Sequence, residues 1–434
     1  MNKKALEWLY RELPGLVEAG VMPAEIADRL RSHYGELEPP GGAAKRAVIL
    51  FSILGAALIG GGIILLLAHN WEELSRTVRA LVSVLPLAIS QLFGAWILFT
   101  KRQSVAWREG VGAFQALAIG AAISLVAQTY NLGGSFADFI LTWSLLGLPI
   151  AYLLGATLPA LFYLVGIAVW TGSVEEANRL WYFALLGLAL PFLLQVSQSD
   201  RYHPRPVLLG WVLAITSCIG MGIALERVYS PSEAWPLVFA AMFAGLFLVG
   251  TRWWNQAASA WQRPFQTIGS LGAVGLSLLL TFHEPWGHRA NWRHWGDETT
   301  KMELGCAIAL FLASLILWVS AWKRRNWPEI LLGSLPLVAL AAWYFASDNA
   351  EFMGRVLFNL YLVILGIGTL VAGLAKGRLG VVNAGLSVLS AVILCRFFDS
   401  NLGFVLRGVA FILVGIGFLA TNLVLIRRKG EPQA

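Results

Sequence analysis

Residues 139–172 read FILTWSLLGLPIAYLLGATLPALFYLVGIAVWTG, a stretch without one Asp, Glu, His, Lys or Arg. A single membrane crossing needs about 20 apolar residues, so the stretch holds more than one crossing's worth. Its only interruption is Gly155-Ala156. We read two spans, 139–154 and 157–172, with the chain reversing at that dipeptide. The whole arrangement turns on this reading, because one span more or fewer moves every later loop to the other side of the membrane.

The same character extends over the rest of the chain. Its 434 residues are 57% hydrophobic and 13% charged, with a mean hydropathy of +0.67. Soluble domains carry about 25% charged residues, so this composition excludes a soluble enzyme, a nucleic-acid binder with a basic face and a disordered chain. The expected fold is all-α, a polytopic transmembrane helix bundle of about fourteen spans with a short N-terminal cytoplasmic helical hairpin. The spans are expected at 47–68, 80–100, 111–127, 139–154, 157–172, 180–196, 207–225, 236–250, 265–282, 303–322, 330–346, 356–373, 379–394 and 404–426.

Two domains are expected, a hairpin and hinge over 1–45 and the membrane domain over 46–434. Leu6, Leu9, Leu13, Leu16 and Val17 recur at helical spacing, and Ile26, Leu30 and Tyr34 repeat the pattern after Pro23. Pro39-Pro40-Gly41-Gly42 is the breaker. The N-terminus MNKKALEWLYRELPG has no apolar core behind its lysines, so no cleavable signal is expected and the run from Ala47 serves as an uncleaved anchor. Cys218, Cys306 and Cys395 are isolated and lack metal-ligand spacing.

Lys and Arg collect in cytoplasmic loops of membrane proteins. Placing both termini inside puts Lys101-Arg102, Lys323-Arg324-Arg325, Lys376-Gly377-Arg378 and Arg427-Arg428-Lys429 all on the cytoplasmic side. The net charge of +7 is thereby explained by orientation. The strings ending at Pro149 (LLGLP), Pro191 (LLGLALP) and Pro336 (LLGSLP) are irregularly spaced and are read as chance similarity in a Leu-rich chain.

Ionisable groups deep in a membrane mark proton relays and ion paths. None falls near the middle of an expected span, which argues against a proton-driven pump; Gln91, Gln115, Asn359 and Asn383 are read as interhelical hydrogen-bonding amides. Most of the 19 tryptophans sit at span ends as interfacial anchors. The segment HEPWGHRANWRHWGDE, His283 to Glu298, gathers three histidines and three tryptophans. His283, His288 and His294 are weak metal candidates, since their spacing matches no compact ligand motif, and no cofactor is expected.

Two outer segments carry the ligand-binding expectation. The first is HNWEELSRTVR (69–79), where Glu72 and Arg76 have the spacing of a helical ion pair. The second is QTYNLGGSFAD (128–138), rich in hydrogen-bonding groups around a Gly-Gly turn. Asn70, Trp71, Glu72 and Arg79 are expected to meet Gln128, Tyr130, Asn131 and Asp138, with Trp143 nearby, in one polar pocket. Simple helix capping is the competing reading of the same groups.

The hairpin string LPGLVEAGVMPAEIADRL, the Asn-Trp of AHNWEELS and the block AQTYNLGG…FILTWSLLGLPIAYLL together resemble the bacterial membrane proteins grouped as domain of unknown function 2157, over roughly residues 1–170. The resemblance implies a bacterial inner-membrane protein with a cytoplasmic hairpin and brings no established activity. On its pattern Asn70, Trp71, Gln128, Tyr130 and Trp143 are characteristic positions without assigned roles. Transport-like or flippase-like binding of a lipid or small molecule is the first functional expectation. A sensor or scaffold signalling to a cytoplasmic protein through the hairpin is the second, and an enzyme on a lipid-linked substrate the third. No acid–base pair, nucleophile motif or phosphate-binding loop supports catalysis. The expected partners are membrane lipids and not nucleic acid.

Topology reporters fused after Lys101, Lys323 and Arg428 are expected to report the cytoplasm. A periplasmic signal at any of the three would mean a miscounted span, with Gly155 the first place to look.

Overall fold

In lipid every backbone N–H and C=O must be satisfied within the protein, which leaves the helix as the conformation of an uncharged run. The computed structural model describes residues 3–34, 71–198, 200–225, 235–254, 259–282 and 298–399, with single positions at 409, 412, 415, 416 and 419. It is all-helical over them, without a strand. Two units separate by their internal contacts, Met1–Arg79 and Ala80–Ala434.

In the first unit α1 (Lys3–Glu18) and α2 (Ala24–Tyr34) form the hairpin. Gly20 supplies the left-handed turn at φ 70°, and Leu13 and Ala27 are buried. A 3₁₀ turn over Trp71–Glu73 precedes α3 (Arg76–Thr100), whose first residues close this unit. Span 47–68 lies outside the described residues.

The second unit continues α3 and adds α4 (Val105–Tyr130), α5 (Phe136–Leu154), α6 (Thr157–Ser173), α7 (Trp181–Ser197), α8 (Pro204–Ala224) and α9 (Trp235–Trp253). There follow α10 (Pro264–Leu279), α11 (Glu298–Lys323), α12 (Trp327–Gly333), α13 (Leu335–Ala375) and α14 (Leu379–Asp399). Nine described segments are long and apolar enough to cross a membrane, and α6, α7 and α10 are apolar helices just short of that length. Each expected span from 80–100 through 379–394 therefore has its helix; the last, 404–426, lies outside the described residues apart from isolated positions.

The Gly155 reversal is real. Gly155 adopts φ 56°, and its N–H together with that of Ala156 donates to the Ala151 carbonyl, a left-handed helix ending. A side chain there would carry the cost of positive φ, and its Cβ would also lie 2.8 Å from Arg108 Nη1.

The helix α13 is assigned unbroken over 41 residues. A straight helix would then be about 60 Å long, twice the hydrocarbon thickness. Yet the Tyr361 hydroxyl donates to the carbonyls of Leu331 and Leu332 at 3.2 and 3.3 Å. On a straight rod Tyr361 would stand about 40 Å from Leu335. The helix therefore folds back on itself, and its arms are the separate spans Trp327–Tyr344, with α12, and Phe352–Ala375. Pro336 has no N–H to offer the Leu332 carbonyl four residues earlier, so that carbonyl takes the Ser334 N–H and the tyrosine hydroxyl of the returning arm.

Two apolar cores organise the unit. Tyr163, Ile167, Tyr182, Phe192 and Leu209 centre the core of α5 to α8, and Phe247, Leu276, Phe358 and Leu362 that of α9 to α14. The helix α10 joins them, giving Phe265 to the first and Ala273 to the second. Close backbone approach replaces the hydrophobic drive that lipid removes. At Gly269 a Cβ would lie 2.7 Å from the Phe243 carbonyl oxygen and 2.8 Å from Phe247 Cα, so α9 and α10 touch backbone to backbone.

Gly269→Ala should accordingly destabilise the detergent-solubilised protein by about 1–3 kcal/mol, as overpacking does. Gly275→Ala, with nothing within 4 Å of its Cβ, should be neutral or stabilising by up to about 1 kcal/mol through helix propensity. Thermal unfolding read as remaining monodisperse protein checks the pair; equal losses would disprove the contact.

Candidate functional site

A two-residue turn between membrane helices leaves the last carbonyls of one and the first N–H groups of the next without partners. Here α4 and α8 supply them. Glu109, in the first turns of α4, accepts from the N–H groups of Thr157 at 2.8 Å and Leu158 at 2.9 Å, capping α6. Arg205, at the start of α8, pairs with Glu109 at 2.7 Å, donates to Thr157 Oγ1 at 3.0 Å and reaches the Gly155 carbonyl. Arg108 Nη1 donates to the Leu154 carbonyl at 3.0 Å. Negative charge thus meets a helix N-terminus and positive charge a helix C-terminus, as the macrodipoles require. All three are helix-end groups, with the Glu109 and Arg205 side chains only 17% and 21% exposed. The signal that would have found them is the turn itself, too short to satisfy its own backbone.

Beside this clamp lies a crevice of about 440 Å³ between α3, α4 and α5. Its walls are aliphatic, including Leu87, Leu98, Ile119, Ile123, Leu146 and Leu154, and the amides of Gln91 and Gln115 interrupt them. Gln115 is buried and donates to the Ser90 carbonyl at 3.0 Å; Gly94 makes room for that amide, since a Cβ there would collide with it. The rim is open, with Gln91, Ala95, Leu146 and Leu153 exposed. Gln115 was expected to be a packing amide and is one. Gln91 makes no hydrogen bond among the described residues and faces the crevice.

The residues singled out from the sequence for ligand or metal binding are not among those lining this crevice. In the first unit Trp71 is buried with no partner for its indole N–H among the described residues. Arg79 donates to the carbonyls of Glu72 at 2.7 Å and Leu74 at 2.9 Å. The expected Glu72–Arg76 pair does not form, because Glu72 lies in the 3₁₀ turn and Arg76 opens the helix after it, so the two never share a helical face. In the second unit Asn131 takes φ 49° as the C-cap of α4. Asp138 and the N-cap Ser135 form a reciprocal capping box on α5, at 3.1 and 3.0 Å. Gln128 and Tyr130 are exposed in the last turn of α4, and Trp143 donates to the Ala116 carbonyl at 2.6 Å. Capping thus occupies Asn131 and Asp138. Asn70, His283, His288 and His294 lie outside the described residues. Among those described, no cluster of three or more His, Cys, Asp or Glu suited to a metal occurs.

Residues 14–160 match the family model described as "Predicted membrane protein (DUF2157)". The match covers about a third of the chain, from α1 into α6, and is with the family whose resemblance the hairpin, Asn-Trp and Gln-Thr-Tyr-Asn strings carry. The crevice and the Arg108–Glu109 side of the clamp lie within it, whereas Arg205 lies beyond. No curated protein and no solved structure matches the chain.

Glu109→Ala would leave Arg205 without its counter-ion and two N–H groups without an acceptor, a change that costs about 3–5 kcal/mol where such a pair is buried. The double variant with Arg205→Gln should recover part of the loss. Thermal stability in detergent measures both, and strict additivity of the two single losses would show that the pair is not coupled.

Proposed function

We propose that this protein is an inner-membrane protein, with both termini cytoplasmic, that binds the apolar chain of a lipid in the crevice between α3, α4 and α5. The carrying observation is the crevice itself, whose aliphatic walls and exposed rim suit a flexible hydrocarbon entering sideways from the bilayer. Its volume lies within the range of about 300–1,000 Å³ of pockets that hold small molecules. A polar, membrane-deep cavity would have favoured an ion or a hydrophilic solute; the two amides here are too few to replace a hydration shell. The Lys and Arg distribution supports this orientation, on which the clamp and the nearer end of the crevice lie at the cytoplasmic face. The hairpin, with Val21 71% exposed, is the surface we assign to a cytoplasmic protein partner.

A diazirine-labelled acyl phospholipid, photolysed with the purified protein in nanodiscs, should crosslink mainly to peptides of α3, α4 and α5. Ala95→Trp fills the crevice from its rim and should lower that labelling about tenfold, a loss of about 1.4 kcal/mol. Leu92→Trp, on an exposed position of α3 outside the crevice lining, should not. Labelling spread evenly over the exposed apolar helices and indifferent to Ala95→Trp would dismiss the site.

A further inference from the structure

We propose that the clamp end of the crevice selects the headgroup of the bound lipid, and that Arg108 is the residue that receives its phosphate. This rests on the lipid-binding reading above and names the class of lipid, a glycerophospholipid whose headgroup is net anionic.

Leu154 ties the two features together. Leu154 lines the crevice and its carbonyl accepts the Arg108 Nη1 hydrogen bond at 3.0 Å, so the guanidinium stands one residue behind the crevice wall, at its Leu154 end. The charges there do not cancel. Glu109 is matched by Arg205 at 2.7 Å. The partial charges of the α5 C-terminus and the α6 N-terminus, about half a unit each and opposite in sign, offset one another at the turn. Among the described residues one full positive charge remains there, and it belongs to Arg108. Among the described residues no carboxylate forms an ion pair with it, and its Nε is buried without an acceptor. Lys101 and Arg102, exposed just beyond α3, add charge of the same sign, and Glu109 is already engaged.

An apolar groove ending at an uncompensated guanidinium is complementary to an amphiphile with a hydrocarbon tail and an anionic head. Arginine suits phosphate because its planar group offers several donors in one fork, and Nη1 alone is committed to the protein. A zwitterionic headgroup also carries a phosphate but brings its own cation into a cluster that is already positive. The net anionic class is therefore preferred, by roughly fivefold for each basic group close to the headgroup.

The test uses the full-length protein in detergent, titrated with dioleoylphosphatidylglycerol, with dioleoylphosphatidylcholine and with inorganic phosphate, bound lipid being counted by native mass spectrometry. The wild type should favour phosphatidylglycerol over phosphatidylcholine about five- to tenfold and take up no stoichiometric phosphate ion. Arg108→Gln should bring the ratio close to one while acyl-chain labelling of the crevice persists, and Arg108→Lys should keep most of the preference. Because the readout is a ratio, a general loss of stability does not mimic it. An undiminished ratio in Arg108→Gln, or phosphate ion binding as well as the anionic lipid, overturns the headgroup assignment and leaves the crevice reading standing. Ala95→Trp that lowers neither lipid overturns the crevice reading and this inference with it.

Discussion

The structure depends on satisfying backbone groups at helix ends where water is scarce. Within a helix the ladder does this by itself; at the ends it cannot, and a turn as short as Gly155-Ala156 has no residues to spare for capping. The protein recruits charged side chains from other helices. Arg108 and Arg205 cover the end of α5, and Glu109 the beginning of α6. Elsewhere Arg201 donates to the Trp253 carbonyl at the end of α9, and Arg396 to Thr281 just past α10. The buried Glu329 takes Arg324 and Asn326 at the turn from α11 into α12. Apart from the bond of Asn326 to Glu329 within one helix start, these contacts run from one helix or its flanking turn to the end of another, so the same charges that close the backbone also set which helices stand side by side.

This gives the Lys and Arg asymmetry a second physical meaning. On the orientation proposed above, Lys101 and Arg102, which are exposed, mark the cytoplasmic side. Arg108 and Arg205 lie on the same side but are held against carbonyls, where an arginine is useful for its geometry as much as its sign. The uncharged middle of the bundle is packed by other means: glycines that admit a neighbouring backbone, and tyrosine and tryptophan polar groups that donate to carbonyls one helix away, as Tyr163 does to Leu185 and Trp318 to Ile330. The crevice is where this packing is left open on one side, between α3 and the α4–α5 pair, with the charged clamp at its end.

Much of the fold was legible because its signals are local. Uncharged runs mark the helices, and the Gly155-Ala156 interruption marks the reversal between two of them. The candidate site was legible only in fragments. Polar residues at 128–138 drew attention because they are dense, yet density at a helix end is also what capping needs, and Asn131 and Asp138 are used that way. Gln91 and Gln115 were visible as amides in apolar spans, but that one is tied to Ser90 while the other faces a crevice has no sequence signature.

The sequence by itself determined that the chain is a membrane protein of many helices and which stretches form them, though not their ends, since expected span 111–127 is the helix Val105–Tyr130 and the expected spans 330–346 and 356–373 fall on Trp327–Gly333 and the single helix Leu335–Ala375; hydropathy and backbone chemistry over a few neighbouring residues mark the runs. Tertiary structure alone decided which helix ends meet and where a cavity is left. Arg108 reaches a carbonyl 46 residues away and Arg205 a carboxylate 96 residues away. Partners at such separations leave no periodicity to read, and a cavity is the space between surfaces whose pairing is itself settled only in three dimensions.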